Sequence, residues 1–350
     1  MRKTIITTCA AAIVCGSAMA KGGNPFLGKY TTPFGIPPFE QIKVEHYKPA
    51  FIKGMEEHKK EIDAIVNNKK TATFENTIAA LDRCGELLNK VASVFYGQNS
   101  ACTSDEMQAV SREISPLLSQ HSDDITMNAA LFKRVKYVYD HQSEEKLDKE
   151  QKKLLEETYK SFVRSGANLS ADKQEQLRKL NQEISMLQLT FGQNMLAETN
   201  AFQLVIDNKD DLAGLPQNLI ASAAEVAKER GLDGNWVFTL HNPSVMPFLQ
   251  YSDRRELRER MYKGYISRGC QGGKNDSREV VKKLVKARLE KARLMGYEDY
   301  ASMALDNRMA KTPEAVYELL DQVWKPALAK AKEELADIQE EMKKDGRDFT

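Results

Sequence analysis

The chain has 350 residues, of which 41% are hydrophobic and 29% are charged. These values exclude a disordered protein and provide for one large or two ordinary globular domains with a real core. Lysine and arginine total 51 against 50 aspartates and glutamates. No long run of one sign occurs, so neither nucleic acid nor an anionic membrane surface is predicted as a partner.

The first twenty residues have the pattern of a secretory signal peptide. Two basic residues precede a run of apolar and small residues that ends in Ala18-Met19-Ala20, which is a cleavage site of the A-x-A type. We therefore predict a signal peptide over residues 1–20, a mature chain that starts at Lys21, and export, with the periplasm as destination. The alternative is a lipoprotein signal acylated at Cys15, although Val14 is bulky where such signals carry a small residue.

The mature sequence offers neither a membrane span nor a disulfide framework. No later stretch approaches the roughly 18 uncharged apolar residues that a span requires. Cleavage leaves Cys84, Cys102 and Cys270. If Cys84 lies in a helix that ends shortly before Cys102, the two are about 25 Å apart at 1.5 Å per residue, too far for a disulfide. Buried free thiols are therefore predicted.

The first part of the mature chain predicts an arm followed by helices. Segment 24–43 combines proline and glycine with aromatic residues, which favours an ordered, extended arm over a disordered tail. Apolar residues then recur at helical spacing. Thr73 can cap the second helix, and Thr103 with Glu106 has the spacing of a capping box for the third. The predicted helices lie at about 47–66, 73–88, 103–118, 131–138 and 155–162.

The middle of the chain predicts one long helix and a small β element. After Ser170, apolar residues from Leu177 to Met195 step by three and four, as an amphipathic helix requires. Alternation at 202–206 and the run at 236–240 predict two short strands that pair with each other. Pro216 begins a helix between them that ends near Gly231.

The last part predicts helices at 252–269, from about Asp276 to Gly296, at 297–309 and at 313–344. Gly296 can take the left-handed conformation that ends a helix. Thr312 can cap the final helix with Pro313 at its first position, and Pro326 is expected to kink it. The predicted fold class is mostly α, with a small β element near 201–240.

The histidines give no metal motif. None of the five is followed by E-x-x-H, the spacing that places two imidazoles on one helix face for zinc. The pairs His58 with Glu61 and His141 with Glu144 could each share a helix face. Both lie among several charged residues, which favours a solvated surface over a metal site.

Two further segments are candidates for chemistry. Cys270 is flanked by glycines and could be a reactive thiol, although a flexible interhelical turn is favoured because no base can be placed beside it. His241-Asn242-Pro243-Ser244 could line a cleft, although a turn that ends the preceding strand is favoured. The residues alone therefore assign no catalytic, cofactor-binding or metal-binding role to any position.

Several segments together resemble a known enzyme family. They occur in the family's order from about Asn24 to the last residue: Phe74–Thr77, Phe191–Asn194, Leu212–Pro216, Trp236–Ser244 and Lys291–Glu314. On these segments the chain resembles the thimet-oligopeptidase family of zinc metallopeptidases, and within it the bacterial peptidyl-dipeptidases.

The resemblance implies a mostly helical, two-lobed peptidase whose deep channel admits short peptides. Zinc in that family is held by H-E-x-x-H and a downstream glutamate in the C-terminal half, and no position here matches those residues. We therefore predict that residues 21–350 form the helical N-terminal region and one channel wall, truncated before the zinc-binding catalytic half. Zinc would bind outside this region, which alone should be inactive.

The predicted partners are short peptide substrates and the missing C-terminal half of the same chain. The intact protein would release C-terminal dipeptides. Two alternatives stay open at this point: a non-catalytic helical scaffold that binds peptides, and an endopeptidase of the oligopeptidase A kind.

Overall fold

Helices make up most of the protein. The computed structural model describes residues 23–347, so the predicted signal peptide at 1–20 lies outside the described residues. The α-helices are α1 (Val44–Val66), α2 (Ala80–Asp82), α3 (Glu86–Ala101), α4 (Asp105–Thr126), α5 (Ala129–Asp140), α6 (Lys149–Arg164), α7 (Ala171–Ala201), α8 (Gln217–Glu229), α9 (Asn242–Tyr251), α10 (Arg255–Ile266), α11 (Arg278–Leu294), α12 (Tyr300–Leu305) and α13 (Pro313–Lys344). The strands are β1 (Leu204–Ile206) and β2 (Trp236–Phe238). The prediction of a mostly α fold with a small β element is confirmed.

The described chain divides into two compact units. The first contains the described residues up to Glu61 together with Cys84–Val110, and the second contains Ile62–Arg83 and the described residues from Ser111 onward. Within residues 23–347, none of the helices combines the length and the apolar content that a membrane crossing would need.

The first unit is built around aromatic rings. The ring of Phe26 lies 5.3 Å from that of Tyr47 in α1, which lies 5.0 Å from the ring of Phe95 in α3. The ammonium group of Lys90 donates hydrogen bonds to the carbonyl oxygens of Phe26 and Gly28, at 3.0 and 2.8 Å. The N-terminal arm is thus held against α3, with two 3₁₀ turns in place of continuous extended backbone.

The helix predicted over 73–88 is broken at Gly85. This glycine has a φ of 79°, a left-handed conformation that costs glycine little. A Cβ atom there would also lie 3.1 Å from the ring of His58. A π-helical turn at Phe74–Ala79, then α2, and then α3 replace the single predicted helix.

The π-helical turn is held by a cap and an arginine, all in the second unit. Thr73 accepts a hydrogen bond from the N–H of Asn76 at 3.2 Å, and the side-chain oxygen of Asn76 accepts one from the N–H of Thr73 at 3.0 Å. Arg134 of α5 donates to the same Asn76 oxygen at 3.0 Å and to the carbonyl of Asn68 at 3.0 Å. The prediction of Thr73 as a helix cap is confirmed.

The cap of α4 is Ser104 rather than the predicted Thr103. The hydroxyl of Ser104 accepts a hydrogen bond from the N–H of Met107 at 3.2 Å, as an N-cap does. The hydroxyl of Thr103 instead donates to the side-chain oxygen of Asn99 at 2.9 Å. Two hydroxyl residues precede the helix, and the capping-box spacing to Glu106 selected the wrong one.

The principal core of the second unit surrounds the two-stranded antiparallel sheet. Leu204 pairs with Phe238, and Leu204 and Ile206 are buried while Val205 between them is exposed. This is the alternation that a half-buried strand requires. The ring of Phe238 meets that of Phe248 in α9 edge to face at 4.7 Å. Helices α8, α9 and α10 add the buried side chains Leu219, Ala223, Val245 and Met261.

Helix α9 is not anticipated by the sequence patterns. The segment His241-Asn242-Pro243-Ser244, predicted as a turn, is the start of this helix. A proline is well tolerated there because the first turn of a helix has no use for its missing N–H. The Ser244 hydroxyl accepts a hydrogen bond from the N–H of Thr239 at 3.0 Å. The helix predicted over 252–269 is the shorter α10.

The corner between α11 and α13 follows the predicted boundaries at Gly296 and Thr312, whereas the helix predicted between them over 297–309 is the shorter α12. Gly296 has a φ of 88°, and the N–H of Tyr297 donates to the carbonyl of Ala292 at 2.9 Å, which closes the end of α11. The Thr312 side chain caps α13, and Pro313 is its first residue. Helix α13 continues through Pro326 to Lys344.

In residues 23–347 the cysteines form no disulfide: Cys84 is partly buried, whereas Cys102 and Cys270 are exposed. The prediction of buried thiols is therefore wrong for the last two. Cys102 follows the final residue of α3, and Cys270 follows a glycine with a φ of 70°. Both residues lie where the chain leaves a helix, and such positions face solvent.

Candidate functional site

The pair His58 and Glu61 lies at the contact between α1 and the start of α3. The carboxylate of Glu61 accepts a hydrogen bond from the N–H of Gly85 at 2.7 Å. The ring of His58 lies against the same glycine, and burial lowers the pKa of this histidine, while the nearby charge of Glu61 opposes that shift. The prediction that these two side chains lie on a solvated surface is therefore correct for Glu61, which is exposed, and wrong for His58, which is half-buried.

The other histidine candidates have structural contacts. The ring of His141 stacks on Tyr137 with centroids 4.1 Å apart, and its Nδ1 lies 2.8 Å from the Tyr137 carbonyl oxygen. The ring of His241 lies between two polar groups, 3.0 Å from the hydroxyl of Thr239 and 3.1 Å from the side-chain oxygen of Asn200. Each imidazole is oriented by its neighbours.

The described residues do not fit the zinc ion that the family resemblance implies. Among residues 23–347, no group of three or more histidine, cysteine, aspartate or glutamate side chains lies close enough together to hold a metal. A zinc site needs at least three such protein ligands. We therefore assign no metal-binding role and no step of a metal-assisted reaction to these residues.

An open cleft of about 670 Å³ lies beside the glycine-rich loop that joins α10 to α11. Apolar side chains of α7 and α11 form part of its wall, and charged side chains of the loop and of α11 form the rest. The residues that decide its character are Phe191, Met195, Arg268, Cys270, Arg278 and Val281. This combination suits an apolar side chain attached to a polar backbone.

The loop itself is an interhelical turn closed by hydrogen bonds. The N–H of Ser277 donates to the carbonyl of Gly269 at 2.6 Å, and the N–H of Gly272 donates to the carboxylate of Asp276 at 2.8 Å. The neighbouring Arg278 guanidinium holds the pKa of Asp276 well below its usual range. The carboxylate is therefore ionised and pairs with Arg278 at neutral pH.

Cys270 lacks the partner that a catalytic thiol needs. No histidine is among the residues that line the cleft, and the thiol donates to the carbonyl of Ser267 at 3.2 Å. A nucleophilic cysteine requires a base or a strongly electropositive setting that depresses its pKa. The geometry therefore favours the turn interpretation of this segment over the reactive-thiol one.

Sequence reasoning missed a buried polar connection between α4, α7 and α11. Asp123, only 6% exposed, accepts a hydrogen bond from the amide of Asn181 at 2.8 Å. The ammonium group of Lys291 donates to the oxygen of the same amide at 2.6 Å. Burial raises the pKa of Asp123, opposed by the Asn181 bond and by the charges of Arg178 and Lys291. Burial also lowers the pKa of Lys291.

This connection links α4, α7 and α11 through one side chain. An amide that accepts from an ammonium and donates to a carboxylate satisfies both of its ends only in one orientation. The cleft at the C-terminal half of α7 is therefore carried by a helix that is held in place from both sides. Because the three residues are far apart in the sequence and none belongs to a recognisable motif, no sequence signal could have found them.

Helix α13 carries a series of exposed apolar side chains. None of the residues of this helix is buried. The exposed residues include large apolar side chains: Tyr317, Val323 and Trp324 are 66%, 58% and 61% exposed. Large exposed apolar patches are rare on proteins that work alone and mark interaction surfaces.

Comparison with known proteins gives similarities that extend over most of the chain. A model of Peptidase family M3 matches residues 248–349. The chain is 38% identical to the dipeptidyl carboxypeptidase of Escherichia coli over 316 residues, which cover 90% of this chain and 46% of that protein. The dipeptidyl carboxypeptidase of Salmonella typhimurium is 36% identical over the same shares of the two chains.

A second group of relatives carries another name. The oligopeptidase A of Haemophilus influenzae is 32% identical over 87% of this chain and 45% of that protein. The chain thus spans about half the length of the curated relatives it matches.

Proposed function

Because the chain resembles the thimet-oligopeptidase family of peptidases over about nine-tenths of its length, we propose that it forms part of an exported zinc peptidase that hydrolyses short oligopeptides. The observation that carries this proposal is the extent of the similarity, which covers 316 residues and 90% of this chain. A match of this length is far more specific than any single motif of a few residues.

The proposed reaction is the release of dipeptides from the C-terminal end of a peptide. Identity to the two dipeptidyl carboxypeptidases, at 38% and 36%, exceeds that to the oligopeptidase A of Haemophilus influenzae, at 32%. The second candidate is cleavage inside the peptide, the endopeptidase alternative that the family resemblance leaves open. Both reactions belong to one chemistry and differ in where the substrate is held.

In this proposal the described residues hold substrate and supply no metal ligand. The cleft beside α7 offers an apolar wall and charged groups in a water-accessible position, which suits an extended peptide with one apolar side chain. Zinc would be bound by residues outside 23–347. Short peptides and the polypeptide that carries those metal ligands are the proposed partners.

The first experiment determines the reading frame beyond Thr350 and tests the encoded protein. We expect an H-E-x-x-H motif, one zinc per molecule, and loss of two residues at a time from the C-terminal end of synthetic peptides in mass spectra. A stop codon at that point, with no such motif downstream, would contradict the enzyme proposal. Peptide binding without turnover would favour a scaffold, and internal cleavage would favour the endopeptidase.

Export is tested separately at the N-terminus. We expect the mature protein in the periplasmic fraction to begin at Lys21 when its N-terminal residues are sequenced. Incorporation of labelled fatty acid at Cys15 would instead identify a lipoprotein. A protein that is found in the cytosol and still begins at Met1 would contradict export.

A further inference from the structure

A second cleft lies between the loop that follows α1 and one face of α5. Its volume is about 820 Å³, which is within the range of ligand-binding pockets in proteins. We call it the α5 cleft and define it by Lys69, Lys70, Lys133, Arg134, Tyr137 and His141. All of these residues belong to the second unit.

The charges around the α5 cleft are nearly all positive. Five of the lining side chains are cationic and one, Asp140, is a carboxylate, whereas the whole chain has 51 basic and 50 acidic residues. Asp140 pairs with Lys136 at 2.7 Å. Within residues 23–347, the exposed Lys69, Lys70 and Lys133 take part in no ion pair. The cleft therefore has a local positive charge that attracts an anionic ligand.

The loop that carries two of these lysines is held in place by hydrogen bonds. Arg134 donates to the carbonyl oxygens of Asn68 and Lys70, at 3.0 and 3.3 Å. The side-chain oxygen of Asn68 accepts a bond from the N–H of Lys70 at 3.0 Å, and the amide of Asn76 donates to the carbonyl of Thr71 at 2.8 Å. The backbone of the loop is thus ordered before a ligand binds, which lowers the entropic cost of binding.

The guanidinium of Arg134 is already occupied by neutral acceptors. One terminal nitrogen donates to the two carbonyl oxygens of the loop, and the other donates to the side-chain oxygens of Asn76 and Thr77. A free guanidinium fork binds two oxygens of a phosphate at once. Among the described residues that line the cleft, no other is an arginine. Separate lysine charges favour carboxylates spread along a chain over one compact phosphate.

The length of the α5 cleft also suits a peptide. Its wall on the α5 side runs from Ala130 to His141, and about eleven steps of 1.5 Å along a helix span about 16 Å. An extended chain covers that distance with about five residues. The ring of Tyr137, which is 39% exposed and stacks on His141, adds an apolar surface for one side chain of the ligand.

We propose that the α5 cleft binds a short, extended acidic peptide, with carboxylates near its lysines and an apolar side chain against Tyr137. A single-stranded nucleic acid is the weaker fit, because successive bases stack on several aromatic side chains. Among the described lining residues, Tyr137 is the one phenylalanine, tyrosine or tryptophan. This inference does not depend on the proposed function, because such binding requires neither a metal nor hydrolysis.

The test measures the fluorescence anisotropy of a labelled hexapeptide, made of five glutamates and one leucine, as the purified chain is added. Lys133→Glu reverses one charge of the cleft, and Lys332→Glu in α13 is the matched control. Both lysines are exposed and lie inside helices, and both variants have the same net charge. We expect K133E to weaken binding at least about fivefold and K332E to leave it within about twofold. Circular dichroism should show both variants folded.

Changes in the peptide test the chemistry of the ligand. We expect glutamine in place of glutamate to weaken binding at least about tenfold, because neutral amides do not neutralise the lysines. Added salt should weaken binding of the glutamate peptide, since exposed charges are screened. Alanine in place of leucine should weaken binding to the wild type but should have no further effect in Tyr137→Ala, if the leucine lies against that ring.

Four results would overturn the proposal. Equal effects of K133E and K332E would show attraction to the charge of the whole chain rather than to the cleft. Equal binding of the glutamate and glutamine peptides would remove the role of the carboxylates, and no binding of the glutamate peptide at low salt would remove the site. Tighter binding of a labelled deoxythymidine hexamer, weakened by K133E, would assign the cleft to nucleic acid instead.

Discussion

Helices α7 and α13 are the two longest of the described chain, with 31 and 32 residues, yet their surroundings differ. Helix α7 packs along α11 and is linked to α4 and α11 by Asn181. Helix α13 has no buried residue. Both have apolar residues at helical spacing. The difference shows that the spacing of apolar residues identifies the apolar face of a helix. It does not identify the helix or strand that packs on this face.

The largest expected effect comes from removing a buried side chain of α7. Leu177 is 1% exposed, and we expect Leu177→Ala to lower the free energy of unfolding by about 2–5 kcal/mol, because the lost contacts leave a cavity. Leu319→Ala in α13, at 62% exposure, is the matched control and should change it by less than about 0.5 kcal/mol. Urea unfolding followed by circular dichroism measures both. Equal losses would show that α13 is packed in solution.

The next effect concerns the buried connection that holds α7. Asp123→Ala leaves the amide of Asn181 without its acceptor, and we expect a loss of about 1–3 kcal/mol in the free energy of unfolding. Asp123→Asn retains an oxygen that can accept the same hydrogen bond and should cost less. If the alanine and asparagine variants unfold at the same urea concentration, the hydrogen bond to Asn181 does not stabilise the protein.

A smaller effect separates the two threonine caps. Thr73 caps an element that packs in the second unit, and Thr312 caps α13. We expect Thr73→Ala to lower the global free energy of unfolding by about 1 kcal/mol. Thr312→Ala should leave the urea midpoint unchanged and accelerate amide hydrogen exchange in the first turns of α13. A shift of the global midpoint by Thr312→Ala would mean that α13 unfolds together with the core.

The smallest expected effect is a dependence on pH. Burial raises the pKa of Asp123 above 3.8 in the folded protein, so the folded state binds this proton more tightly than the unfolded chain does. The resulting stabilisation is present below the unfolded pKa and is lost as the pH rises through the folded value. The groups that face Asp123 are Arg178, Lys291 and Asp124.

We therefore expect the stability of the wild type relative to Asp123→Asn to fall as the pH rises from below 3.8 towards neutrality. Urea midpoints of both proteins across that range measure it. A difference that grows with pH would mean that the partners of Asp123 outweigh its burial and that its pKa is lowered.

Local sequence patterns were enough for most of the elements. The strand alternation at Leu204–Ile206, the glycine end of α11 and the caps Thr73 and Thr312 each depend on neighbours within a few residues. The predictions that were wrong depend on choices between similar local options. Ser104 and Thr103 are both able to cap α4. The sequence around Gly85 does not show that the helix breaks there, because the contact with the ring of His58 exists only in the folded protein.

The candidate site was less accessible to sequence reasoning for a physical reason. The cleft beside Cys270 combines α7, the loop and the start of α11, which lie up to about ninety residues apart in the chain. Which faces meet there depends on how α7 packs along α11, and that packing is a property of the folded chain. Family resemblance could identify the chain without revealing this geometry.

The exposure of α13 also has a consequence for the lifetime of the chain. An isolated helix is only marginally stable in water, so a helix that has no buried residue opens often. Lys325, Lys330 and Lys332 lie in its middle and offer cleavage points to trypsin-like proteases each time it opens. Limited digestion with trypsin is therefore expected to cut the chain at these lysines before it cuts within the packed core.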